Sequence, residues 1–307
     1  MTNDETPNPT EVSSEQREAV RKRAQAVNAR ITAKKIARRV IVTLLIAAVV
    51  VAGAWWVWQQ VAPELDNEVQ VPQNFTSTDG IDVIALAAGE PVDERESTPA
   101  DGVLDIDVYI DYLAPEAGAF ETEVAPHIYE RIEDGTVTLT YHPIAMMTGQ
   151  AQGTQYSKRA GSAVACVVTL DPATFPAFNT SLLEQQPAPD SEGYSDEQLS
   201  QLAIDAGAAE NSGVRECIEE RRYASWITEA TERARDGAVP GTDDVQLTSP
   251  FLLTVDGQAY AGSPDDPAEL QQFLLLVESE QYFAPTPMPD ADDTDTPADS
   301  SNEDDTE

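Results

Sequence analysis

A strand-forming segment from Leu104 to Tyr112 runs almost directly into Pro115, and this junction restricts the fold more than any other part of the chain. Proline suits the first turn of a helix, because it has no N–H to leave unpaired there and its φ already matches. The helix that follows carries Phe120, Val124, Ile128 and Ile132 at i+4 spacing, a single apolar stripe, and Gly135 closes it. Pro126 lies inside this helix, where its missing N–H is expected to bend the axis. The alternation Val137, Leu139, Tyr141 then predicts a second strand, and strand, helix, strand in this order implies a parallel pair joined by a right-handed crossover.

The remaining elements extend an α/β order. Ile81 to Leu86 reads as a first strand, followed by a Pro- and acid-rich loop from Gly89 to Asp101. After a polar loop, Tyr156 opens a small-residue helix running through Cys166. Ser195 and Gln198 form a capping box ahead of Leu199, Leu202 and Ala206, with Gly207 as the stop. A longer helix is expected from about Val214, carrying Cys217, Ile218, Tyr223, Trp226 and Ile227 as packing residues. The last helix starts at Asp266 and Pro267 and buries Leu270, Phe273, Leu274 and Val277.

Nineteen consecutive residues without a charge, Val40 to Trp58, would make about 28 Å of helix, enough to cross the hydrocarbon of a bilayer. Residues 1–39 hold nine basic and five acidic groups, and no basic residue follows the span until Arg95, so residues 1–39 are expected in the cytoplasm and the remainder outside. Trp55, Trp56 and Trp58 would sit at the outer interface. A cleaved signal peptide with Ala52-Gly53-Ala54 at its cut site is the competing reading, set against by the length of the apolar run and the tryptophans. Residues 59–307 carry 9 basic and 50 acidic groups, a charge that repels phosphate backbones and excludes nucleic acid as a partner. Residues 59–79 read as a polar stalk, and the acidic, proline-containing stretch 284–307 as a disordered tail.

Asp111-Tyr112-Leu113-Ala114-Pro115-Glu116-Ala117-Gly118-Ala119-Phe120-Glu121 resembles the active-site segment of the DsbA-like thioredoxin-fold oxidoreductases of bacterial cell envelopes, with Ala114 and Ala117 where that family has the two redox cysteines. Tyr141-His142-Pro143-Ile144-Ala145, with the helix start at Tyr156, resembles the family's second strand and the beginning of its inserted helical domain. Thr248-Ser249-Pro250-Phe251 through Asp256-Gly257 is similar to its cis-proline loop, strand and hairpin turn. The resemblance covers roughly residues 80–283 and implies a thioredoxin-like α/β fold, with a helical insertion at about 156–238, behind one transmembrane helix at 40–58. It makes Pro250 the cis proline and Cys166–Cys217 a structural disulfide of the insertion, like that of many actinobacterial members. The motif Ala114, Pro115, Glu116, Ala117 would then be a degenerate site. Catalysis needs a thiolate at a helix start, and an alanine methyl cannot supply one.

What survives is a peptide-binding edge: the backbone of Ser249 before Pro250, with Leu113, Ala114, Pro115 and Ala117 as an apolar floor. The expectation is a membrane-anchored, extracytoplasmic, non-catalytic protein that binds a peptide or protein of the envelope and needs no cofactor. The alternative keeps an enzyme, a thiol-disulfide oxidoreductase acting through Cys166 and Cys217 or through a cysteine lent by a partner. In the loop-entropy model a bridge across these two cysteines would contribute about 4 kcal/mol, which favours the structural role. His127 and His142 share no metal-ligand spacing, and the Asp292-Asp293-x-Asp295 cluster lacks the glycine and closing glutamate of an EF-hand, so no metal site is expected. A polar contact of His142 near the degenerate site remains open. Asn74-Phe75-Thr76 and Asn179-Thr180-Ser181 are glycosylation sequons by pattern alone.

Overall fold

The computed structural model describes residues 69–89, 100 and 102–283. The basic segment 1–39, the expected span 40–58, the first part of the stalk and the tail 284–307 lie outside the described residues. Among the described residues no helix is long and apolar enough to cross a membrane.

The elements follow in the order β1 (Ile81–Asp82), α1 (Val83–Ala88), β2 (Leu104–Asp111), α2 (Pro115–Ala119), a π-helical turn (Phe120–Val124), α3 (Ala125–Glu133) and β3 (Val137–Ile144). Then come α4 (Tyr156–Leu170), α5 (Phe175–Glu184), α6 (Asp196–Asp205), α7 (Val214–Glu219), α8 (Ala224–Arg235), β4 (Phe251–Val255), β5 (Gln258–Ala259) and α9 (Pro267–Phe283). The strands form one sheet in the order β1-β3-β2-β4-β5. β2 and β3 are parallel, from Leu104 opposite Val137 to Asp111 opposite Ile144, and the other pairs are antiparallel. Pro143 sits in β3 beyond the two residues that β1 pairs, so its missing N–H costs no ladder bond on that side. On β2 the side chains alternate. Leu104, Ile106, Val108 and Ile110 join the main core, whereas Tyr109 packs with Ile144, Val239 and Leu247 in a smaller cluster.

Two expectations near the start of the domain need correction. Ile81 to Leu86 is not a strand: only Ile81 and Asp82 pair, and Val83–Ala88 is helical. Asp82 turns the chain, its Oδ1 accepting from the amides of Ile84 and Ala85 at 2.9 Å each, and Gly89 ends the helix at φ 67°. The stalk does not reach residue 79, because residues 69–79 pack on the body. The Phe75 ring meets Trp226 edge-on at 4.6 Å, the Asn74 amide donates to Val168 O at 2.8 Å, and Arg233 grips Asp79 with two nitrogens at 2.8 and 2.9 Å.

The response to Pro126 is local. A π-helical turn precedes it, with Ala125 N donating back to Phe120 O, and this wider turn leaves room where a proline ring would strike a regular helix. The apolar stripe survives, with Phe120, Val124 and Ile128 buried.

In the insertion α4 is buried along almost its whole length, and Gly161 lets Ile227 of α8 approach so closely that a Cβ there would lie 2.7 Å from Ile227 Cγ1. The capping box forms as expected, Ser195 Oγ accepting from Gln198 N and Gln198 Oε1 from Ser195 N. The single long helix from Val214 is instead two, α7 and α8, broken where Arg221 takes φ 53°. Arg222 N reaches back to Cys217 O and Arg221 N to Ile218 O, closing α7, while Arg221 and Arg159 both hold the carboxylate of Asp196 at 2.8 and 3.0 Å. The β4–β5 hairpin turns on Asp256 and Gly257, both at positive φ, as a two-residue turn of this twist requires. Asp266 caps α9 through the amides of Ala268 and Glu269; Leu270, Leu274 and Val277 are buried and Phe273 half-buried.

Candidate functional site

The turn between β2 and α2 is built around Asp111. Its carboxylate is fully buried and accepts from Leu113 N at 2.9 Å and Met147 N at 2.7 Å, while Ala114 N returns to Asp111 O. Burial pushes this carboxyl above the usual range, and the amides of Met147 and Leu113 pull the other way. Asp111 N donates to Pro250 O at 2.9 Å, which brings the loop before β4 alongside the turn.

Ala114 is the N-cap of α2 and Pro115 its first residue, the place where a thiol would feel the free amides of a helix start. Ala114 offers no side-chain cap, and Ala117 N bonds to Ala114 O at 3.0 Å instead. Leu113, Ala114 and Ala117 have no exposed surface, and only Pro115 and Glu116 of the motif face solvent. Of the expected apolar floor only Pro115 is therefore at the surface, and Leu113 cannot contact an incoming peptide. The cover comes from the end of α5. Gln186 Nε2 donates to Tyr112 O at 3.1 Å and to Ala114 O at 2.8 Å, and Gly118 lies so close that a Cβ would stand 3.1 Å from Leu183 O and 3.0 Å from Gln186 Oε1.

Ser249 is exposed, with its backbone N–H and C=O engaged by no other described residue, and Pro250 is partly buried. No peptide bond among the described residues is cis, so the expectation of a cis Pro250 is corrected: its carbonyl meets Asp111 N through a trans peptide, the isomer ordinarily preferred before proline.

The two cysteines of the chain are bonded to each other. Cys166 on α4 and Cys217 on α7 form a disulfide with Cα atoms 5.8 Å apart, both residues are fully buried, and neither lies on the β2–α2 turn.

Glu121, noted in the sequence only as the end of the motif, proves to be a buried hub. Thr180 Oγ1 donates to its Oε1 at 2.6 Å; Tyr141 OH at 2.9 Å and Asn179 Nδ2 at 3.3 Å donate to Oε2. Tyr112 OH completes the chain by donating to Asn179 Oδ1 at 2.8 Å. Burial raises the Glu121 carboxyl above the usual range against these three donors. The signal was present in the spacing, since Glu121 is i+4 from Ala117 and i−3 from Val124, on the buried side of the helix.

His142 does not approach the alanine pair. It is 3% exposed, its Nε2 lies 2.8 Å from Asp107 Oδ1, and its ring stacks on Tyr109 at 4.3 Å. His127 is on the surface beside Glu130. Among the described residues no cluster of three His, Cys, Asp or Glu side chains is arranged to hold a metal. Neither sequon offers a free amide, since Asn179 is buried on Glu121 and Asn74 is engaged with Val168 O.

An open groove of about 310 Å³ lies between α3 and α9, walled by Val124, Ile128, Leu270 and Leu274 with His127 and Arg131 at its edge. The Nε of Arg131 is buried without a hydrogen-bond partner. The four apolar wall residues of the groove are themselves buried, as the stripes on the two helices predict.

Among solved structures the chain is similar to the reduced form of a disulfide bond oxidoreductase, DsbG, from Mycobacterium tuberculosis, with 23% identity and a TM-score of 0.48 over 59% of this chain and 79% of that one. MdbA, a thiol-disulfide oxidoreductase from Corynebacterium matruchotii, aligns at 20% identity and a TM-score of 0.49 over 66% of this chain and 93% of its own. MdbA from Actinomyces oris aligns at 17% and 0.48 over 67% and 89%. No curated protein matches the sequence. The sequence profile of the thioredoxin family matches residues 101–273, more than half of the chain, and by that match, on the sheet and helix order described above, the chain belongs to the thioredoxin family.

Proposed function

We propose that this chain is a membrane-anchored, extracytoplasmic DsbA-like protein that has lost its redox cysteines and binds a peptide or protein partner of the cell envelope. The observation that carries the reading is the pair Ala114 and Ala117 at the start of α2, in a chain whose two cysteines are bonded to each other elsewhere. Disulfide exchange needs a thiolate that can reach its target, and the buried Cys166–Cys217 bond sits in neither a helix-start nor an exposed environment. This weighs against the reading in which those cysteines, or a partner's, do the chemistry.

Two features support partner binding. The backbone of Ser249, paired with no other described residue, can accept an extended peptide by strand addition, and the α3–α9 groove places the cationic Arg131 at its edge. Membrane attachment rests on the uncharged run 40–58 and its flanking charges. The test uses the full chain in detergent with an unfolded peptide carrying two thiols. No oxidation above the uncatalysed rate is expected, together with binding of the alkylated peptide; enzyme-like turnover by the unmodified protein overturns the proposal.

A further inference from the structure

We infer that the loop Gln185–Tyr194 is a strap closed over the degenerate site, with Gln186 as its latch. The strap follows α5 and precedes α6, and its two feet are tied by Tyr194 OH, which donates to Gln185 O. Loops of this length with joined ends behave as compact units carrying their own contacts. None of the residues from Glu184 to Ser195 is buried, whereas Leu182 and Leu183 before them and Leu199 after them are. Lifting the strap therefore bares what lies beneath it, Ala114 and the ring of Tyr156 on which Gly193 and Tyr194 pack, and exposes no buried residue of its own, an opening smaller than global unfolding.

Its attachments are few and mostly polar. The outer edge rests on the segment after β3, with Asp190 N donating to Gln150 O at 3.0 Å, Gln152 Nε2 to Asp190 O and Thr154 Oγ1 to Glu192 O. The inner edge touches the site through one side chain, the Gln186 amide, which donates to the carbonyls of Tyr112 and Ala114. Pro187 and Pro189 stiffen the stretch after the latch, and the chain reverses at Asp190 and Gly193, at φ 64° and 66°. In the closed state Gln186 Nε2 occupies the two carbonyls that an external amide donor would need, and Ala114 has no exposed surface. The inference concerns access to the site and goes beyond the proposed function, holding whether or not a partner binds at Ser249 or in the α3–α9 groove.

The experiment uses the thiol introduced by Ala114→Cys in the full chain, where the native cysteines are bonded to each other and leave it as the one free thiol. Its rate of alkylation by iodoacetamide is measured under native conditions, alone and combined with Gln186→Ala or with Gln152→Ala, which loosens the outer edge without touching the site. The single variant is expected to react slowly and each double variant roughly tenfold faster or more, as the loss of one or two hydrogen bonds implies. Hydrogen exchange on the native sequence and on Gln186→Ala alone gives a second readout free of any new thiol: the Asp190 amide should exchange faster in the variant, while Leu113 N, held by Asp111, stays protected. Reaction of the single variant at the rate of an open thiol overturns the inference. So do unchanged rates in both double variants, or equal acceleration at Asp190 and Leu113, which would mean global loosening.

Discussion

Cys166 and Cys217 join α4 to α7 with their Cα atoms 5.8 Å apart, which fixes the central helix of the insertion to the short helix before the break at Arg221. The sequence separation is 51 residues, and closing a loop of that size in the unfolded chain contributes about 4 kcal/mol in the loop-entropy model. The paired substitution Cys166→Ser with Cys217→Ser is expected to lower the unfolding free energy by an amount of that order, read from denaturant unfolding. Because both residues are fully buried, mild reductant should leave the bond intact until the protein unfolds. Non-reducing mass spectrometry after native reduction checks this, and two free thiols without unfolding would contradict it.

Glu121 makes stability depend on pH in a direction set by its burial. Its carboxyl is raised in the folded state, so the fold holds this proton more tightly than the unfolded chain does. The resulting contribution is fully present below the unfolded value, about 4.5, and is lost as pH rises through the folded value. Glu121→Gln removes the titration and keeps the shape, since an amide oxygen can accept from Tyr141 and an amide nitrogen can donate to Thr180 Oγ1. The variant should therefore gain stability relative to the native chain as pH rises above about 4.5. Denaturant unfolding at a series of pH values reads the difference, and parallel curves would show that Glu121 does not titrate in this way.

Asp105 titrates inside the physiological range. Burial first, then the neighbouring Asp107, raise its carboxyl to about 6, while the hydroxyl of Thr138, 2.5 Å away, opposes them. Its sign is that of Glu121: stability is present below the ordinary aspartate value and lost as pH rises through about 6. The carboxyl carbon resonance of Asp105 is expected to titrate near that value, and Asp105→Asn should flatten the stability profile across the same window.

Much of the architecture was legible because pattern and chemistry agreed. Pro115 after the Leu104 strand marked the helix start, the Phe120–Val124–Ile128 stripe marked its buried side, and Ser195 with Gln198 marked α6 to the residue. The misreadings fall where a side chain or a distant contact overrides local pattern. Asp82 converts an apolar run into a capped helix, and Phe75 draws a polar stretch into the core through Trp226. The Asp196 carboxylate holds Arg221 where a continuous helix would otherwise run. At the site, residue identity fixed Ala114 and Ala117 at a helix start, but nothing in the sequence marked Gln186, more than sixty positions away, as the group that covers them. α5 brings Thr180 and Asn179 to Glu121 and leads Gln186 to the carbonyls of Tyr112 and Ala114, a long-range packing that periodicity cannot reveal.

Introducing two thiols tests whether the start of α2 can serve as a redox site. In Ala114→Cys with Ala117→Cys the first thiol would occupy the N-cap position, where the free amides of α2 lower its pKa from about 8.5 into the range of roughly 3.5–7.5 seen for reactive cysteines at helix starts. Ultraviolet titration of the thiolate reads this directly. The oxidised pair should then accept electrons from a dithiol peptide: a substrate thiolate attacks one sulfur, a mixed disulfide forms, and the second substrate thiolate displaces the protein, leaving an oxidised peptide and two protein thiols. With Gln186 in place the reaction should be slow, and adding Gln186→Ala should accelerate it by roughly the factor by which the strap opens. A lowered pKa with no turnover in either background would mean that the turn keeps its electrostatics but has lost the surface on which a substrate must lie. An unshifted pKa would mean that the fully buried Ala114 position no longer gives a thiol what the helix start provides.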